Sequence, residues 1–141
     1  MKNTIKTTLV LLIAVFTFAC DSKSGDDHHG NGGGLTLDGE NRWKANPETT
    51  GGVNNMITLM ASFTESENVA DYNALSGSLQ KEFAMIFELC TMKGESHNQL
   101  HNFLIPIKGY IKGLKSSDLE GCKKDFSDMK IHLEEYDKFF E

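Results

Sequence analysis

The residues Cys90-Thr91-Met92-Lys93-Gly94-Glu95-Ser96-His97-Asn98-Gln99-Leu100-His101 bring the chain's most chemically capable side chains into one short stretch. His97 and His101 are four apart, so on a helix they share a face and can hold one ion together. Cys90 and Met92 precede them across Gly94, a natural turn residue. A thiolate, a thioether and two imidazoles form a mixed soft and borderline donor set, which suits copper first and zinc next. The expected ligands are therefore Cys90, Met92, His97 and His101. A plainer reading stands beside this one. Cysteine is among the most buried residue types and methionine fills cores, so both sulfurs can be packing and both histidines can be exposed polar groups.

The elements that must position these residues are helical. No strict alternation of apolar and polar residues lasts long enough for a sheet, whereas spacings of three and four recur. Asn46-Pro47-Glu48 reads as N-cap, N1 proline and first-turn acid. Val53, Met56, Ile57, Met60 and Phe63 follow as a first stripe. A loop over residues 66–70 leads to a second stripe of Tyr72, Leu75, Leu79, Phe83, Ile86 and Cys90, with Gly94 as its C′ stop. Ser96 and Gln99 read as a capping box that opens a third helix. Its stripe is Leu100, Phe103, Leu104, Ile107, Ile111 and Leu114, and Pro106 inside it predicts a bend. Ser117 or Asp118 caps a fourth helix, on which Leu119, Cys122, Phe126, Met129, Leu133, Tyr136 and Phe140 keep a heptad seam. Four stripes with short connections predict an all-α, up-down-up-down four-helix bundle over residues 35–141. In that topology Trp43, His132 and Tyr136 fall near the same end as the Cys90 to His101 turn. Cys90 and Cys122 fall at opposite ends, on the order of 20 Å apart by helix rise. That is beyond the ~7 Å Cα limit for a disulfide. Cys122 on the seam reads as core, which leaves Cys90 as the thiol with candidate partners.

Ahead of the bundle, residues 1–19 carry two lysines and the apolar run Leu9 to Phe16, and they end in Ala19 before Cys20. Basic start, apolar centre and small residue before the cut mark a secretory signal. The apolar run is shorter than the ~20 residues that a permanent span needs. A Cys placed directly after the small residue reads as a lipoprotein signal, with lipid on the Cys20 thiol, although Thr17 stands where leucine is usual. Residues 21–34 hold five glycines and no apolar side chain, so 20–34 reads as a lipidated Cys and flexible tether. His28-His29 beside Asp26-Asp27 is read as a solvated linker with loose metal affinity at most. The expected location is the cell envelope, with the protein lipid-anchored in the outer membrane and facing the periplasm or the surface.

Losing residues 1–19 removes Lys2 and Lys6 but no acid, which leaves 12 basic against 20 acidic residues, net −8. That balance argues against nucleic acid as a partner. Catalytic signatures are absent: no G-x-S-x-G, no phosphate-cradling glycine loop and no H-E-x-x-H. Without C-x-x-C-H, covalent haem is not expected.

Trp43-Lys44-Ala45-Asn46, the stretch Cys90 to His101, and Glu135-Tyr136-Asp137-Lys138-Phe139-Phe140 resemble segments of a group of small, largely uncharacterised bacterial lipoproteins. That group shares the signature C-T-M-x-G-x-x-H-x-x-L-H. The resemblance covers the whole domain and implies a helical bundle with a metal-handling role, but no established activity. Some members carry extra histidines around the proline of the third helix, where this chain has Ile105 and Ile107. The expectation is a membrane-anchored, non-enzymatic module that binds copper or zinc. The alternative is a structural module, without metal, that docks an envelope protein.

Overall fold

A computed structural model describes residues 34–141 of the chain. The expected signal peptide, Cys20 lipidation site and nearly all of the tether lie outside the described residues. Within them the protein is all-helical. It comprises α1 (Pro47–Ser62), α2 (Val69–Leu89), α3 (Glu95–Gly113), α4 (Leu119–Glu134) and the single turn α5 (Tyr136–Phe139). No named strand occurs among the described residues, and no helix there is long and apolar enough to cross a membrane.

Local chemistry explains most helix starts. Asn46 precedes Pro47 at the head of α1, where the proline's missing N–H is no loss. Asn68 caps α2 by accepting from the Ala70 amide at 3.0 Å, and Asp118 caps α4 by accepting from Gly121 at 3.1 Å. The third helix departs from expectation. Gly94 does not close α2, which ends at Leu89 with Cys90 as its C-cap; it opens α3 from φ 66°, ψ −144°. A side chain there would be strained, so this turn needs glycine. Nor do Ser96 and Gln99 form a capping box. Ser96 donates to the Lys93 carbonyl, while Gln99 donates to Glu95 and accepts from the Thr36 amide. The helix begins two residues too early for Ser96 to be its N-cap. α3 runs unbroken through Pro106.

The apolar stripes pack as one core. Val53, Met56, Leu79, Phe103, Ile107, Cys122, Met129 and Phe140 are all fully buried. The heptad seam of α4 continues through the break at Glu135, because Tyr136 and Phe140 are buried in line with Met129 and Leu133. Named contacts pair helix ends. The start of α1 meets the end of α2 through Asn46 and Leu89, and the end of α1 meets the start of α2 through Phe63 and Tyr72. Ser76 on α2 donates its buried hydroxyl to the Ile111 carbonyl on α3 at 2.7 Å. Gly52 lets α1 and α2 close up, since a Cβ there would stand 2.5 Å from the Ile86 side chain.

Candidate metal centre

The α2–α3 junction is set by residues distant from it in sequence. The segment before α1 lies along the chain's C-terminus. Trp43 donates to the Phe139 carbonyl at 2.7 Å, Glu141 donates back to Trp43 at 2.9 Å, and Ala45 donates to Glu141 at 2.8 Å. Arg42 adds bonds to the Asp137 carbonyl and the Glu141 carboxylate, both at 3.1 Å. This pairing delivers Asn46 to the end of α2. There its Nδ2 donates to the Leu89 carbonyl at 3.2 Å and its Oδ1 accepts from the Thr91 amide at 3.4 Å. Thr49, fully buried, donates to the same Oδ1 at 2.7 Å. Asn46 also donates to Glu48 at 2.8 Å, which holds that exposed carboxyl below its usual range.

Between those two anchored peptides sits Cys90, half-buried, at φ −66° and ψ 120°. Its Sγ lies 3.7 Å from His97 Nδ1, and His97 Nε2 lies 2.9 Å from His101 Nε2. The two imidazoles meet edge to face with centroids 4.5 Å apart, and His101 also packs on Phe87 at 5.7 Å. Three of the four expected ligands are therefore brought together. Met92, the fourth, packs partly buried against the hydrophobic core.

The three donors form a line rather than a ring. His97 faces Cys90 with one nitrogen and His101 with the other, and those nitrogens point away from different edges of the imidazole. The arrangement is a hydrogen-bonded chain. If the Cys90 S–H donates to Nδ1, the His97 Nε2–H donates to His101; the opposite tautomer reverses both bonds. Among the described residues, no three His, Cys, Asp or Glu side chains make a group that could hold a metal ion. The spacings are nevertheless close to those of ligands. Zinc–sulfur and zinc–nitrogen bonds of about 2.3 and 2.0 Å across a tetrahedral angle put S and N about 3.5 Å apart, and two nitrogens about 3.3 Å. The 3.7 Å pair is near that value, and the 2.9 Å pair must open slightly. One ion cannot take up both contacts as they stand, because they use opposite nitrogens of the same imidazole.

His132 takes no part in this chain. Its Nε2 meets the Phe103 carbonyl at 2.8 Å, and its ring stacks on Phe103 at 4.7 Å. Tyr136, expected at the same end, is buried and shares a 3.0 Å bond with Thr50. Burial pushes its phenol up, and the Thr50 bond opposes the shift. Cys90 and Cys122 are both free thiols, as the predicted separation requires.

Asn46 and Gln99 carry roles that their sequence positions do not announce. The only local signal for Asn46 is its place before Pro47, which marks a cap and says nothing of Leu89 or Thr91. Comparisons with known proteins add no relative: no family model, no curated protein and no solved structure matches the chain.

Proposed function

We propose that this protein is an envelope lipoprotein, anchored by lipid on Cys20, that binds a transition metal without catalysing a reaction. Its architecture in this reading is a signal peptide, a flexible tether and an up-down-up-down four-helix bundle. Copper is favoured and zinc next, with Cys90, His97 and His101 as the primary ligands and Met92 as the fourth. Anchored this way, the domain would capture or buffer the ion outside the inner membrane.

One observation carries the proposal: a thiol and two imidazoles in unbroken contact, at 3.7 and 2.9 Å, where two helices meet. A half-buried position excludes part of the solvent yet leaves the site reachable. Any metal would supply Lewis acidity and, for copper, redox chemistry; the chain's own residues supply soft and borderline donors.

Titration of the full chain in detergent with Cu(I) and Zn(II), read by Trp43 fluorescence, tests the reading. Micromolar or tighter binding should be lost in His97→Ala and in His101→Ala. Unchanged affinity in both variants would remove the proposal. A second reading has its own observation. Phe87 and Ile105 are 47% and 44% exposed on the helices that carry the site, apolar side chains available to an envelope protein. In that case the same substitutions alter partner capture but not metal content. Elemental analysis of protein purified without chelator or affinity tag separates the two.

A further inference from the structure

The residue with the greatest leverage over the candidate centre is not one of its donors. We infer that Asn46 is a positioning residue, which sets the direction of the Cys90 thiol toward His97. The inference rests on the metal-binding reading for its purpose, though not for its geometry.

Asn46 grips the chain immediately before and immediately after Cys90, through the Leu89 carbonyl at 3.2 Å and the Thr91 amide at 3.4 Å. A single residue between two held peptides has little backbone freedom. Its side chain then chooses only among a few staggered χ1 wells, and one of these places Sγ 3.7 Å from His97 Nδ1. The end of α2 offers no substitute for this clamp. Cys90 ends the helix in extended backbone rather than in a left-handed glycine cap, and the last turn of α2 has no basic side chain for its free carbonyls. Asn46 is itself immobilised. Thr49 donates to its Oδ1 at 2.7 Å, and its neighbour Ala45 is bonded to Glu141 at 2.8 Å. A continuous set of contacts thus runs from the last residue of the chain through Ala45 and Asn46 to Cys90, His97 and His101. The Asn46 side chain makes no cap bond to the backbone of α1. Its backbone contacts are at the end of α2, on both sides of the thiol.

Full-length Asn46→Ala and Asn46→Asp, each compared with the unsubstituted protein in detergent, test the inference with and without metal. Without metal, Asn46→Ala should exchange the Thr91 amide at least tenfold faster. It should also alkylate Cys90, assigned by peptide mass, several-fold faster, with Cys122 unchanged. With Co(II) as probe, it should bind at least tenfold more weakly and lose the thiolate-to-cobalt absorption band at full occupancy. Asn46→Asp keeps the acceptor for Thr91 and Thr49 but sets a carboxylate oxygen against the Leu89 carbonyl. It should fall between the two, and it remains informative if Asn46→Ala does not fold. Lowered melting temperature with unchanged Cys90 alkylation and an unchanged cobalt band would mean that Asn46 only stabilises α1, which overturns the inference. If the unsubstituted protein takes up no metal, the metal reading fails, and the exchange and alkylation results alone decide the role of Asn46.

Discussion

The two cysteines of the bundle lie near opposite ends of α3, and their surroundings differ in kind. Cys122, in the first turn of α4, is fully buried, and its thiol meets the carbonyls of Gly113, Leu114 and Ser116 at 3.6–3.7 Å. Gly113 and Leu114 close α3 and Ser116 follows them, and the Gly113 carbonyl also accepts from the Ser116 amide at 2.9 Å, so the thiol is sealed against the turn between α3 and α4. Burial pushes it up from its usual range, and the Asp118 and Asp125 carboxylates push the same way. On the same helix Phe126 packs ring on ring with Phe63 and Tyr72. Cys90 ends a helix too, but it is half-buried and faces two imidazoles rather than carbonyls. One end of the bundle spends its thiol on closing the fold. The other keeps its thiol among groups that can bind or exchange a proton. The same residue type is structural or chemically available according to its neighbours.

The largest expected difference between the ends is in stability. Phe126→Ala, at the closed end, should cost about 3–5 kcal/mol in urea unfolding. Phe87→Ala, beside His101 and 47% exposed, should cost less than about 1 kcal/mol. Equal losses would show that the open end is as much core as the closed one. Gly94→Ala comes next. At φ 66° the added Cβ should cost about 1–3 kcal/mol and shift the first turn of α3, which carries His97. Gly109→Ala, on the same helix with open space around it, should instead stabilise by about 0.4–1 kcal/mol. Thiol accessibility sharpens the contrast without changing the fold. In the native protein Cys90 should alkylate at a rate independent of denaturant, whereas Cys122 should react only as the core opens. Comparable native rates for both would erase the distinction.

The smallest effect is in the pH dependence. A thiol raised in the folded state binds its proton more tightly there than in the unfolded chain. Its contribution is full below the usual value of 9.0 and is lost as pH rises above it. Tyr110 and Tyr136 act in the same direction above 10.0, each raised chiefly by burial. Stability should therefore decline on the alkaline side, and Cys122→Ala should flatten the onset of that decline. Glu48 and Glu95 act at the other extreme. Both are lowered from 4.5, the first by Asn46 and the second by Gln99 and Asn98, so their contribution is present at neutral pH and fades as pH falls below that value. Thermal melting from acid to alkaline pH checks both signs.

Much of the architecture was legible because it depends on local periodicity. The four apolar stripes lie where residue spacing places them, from Val53 and Met56 on α1 to Tyr136 and Phe140 beyond α4, since burial of one helix face is written every three or four residues. Asn46 before Pro47 and Asp118 before Leu119 were readable for the same reason, as caps act within one turn. Gly94 and Ser96 misled because a glycine and a serine near a helix end fit several capping patterns. Which pattern forms depends here on Gln99, whose amide is taken up by Glu95 and by the Thr36 backbone.

The candidate centre divides along the same line. Sequence alone determined that His97 and His101 would be neighbours, because four residues make about one turn of α3, and that Cys90 would lie near the end of α2. Only the tertiary structure decided that His97 would split its two nitrogens between Cys90 and His101, and that Met92 would pack, partly buried, against the core. It alone joined Trp43 to Phe139 and Glu141, and so brought Asn46 to both sides of Cys90. The physical reason is range. Helical periodicity and capping are short-range preferences carried by each segment, whereas a side chain's aim depends on which distant backbone groups the packed core leaves within reach of a hydrogen bond.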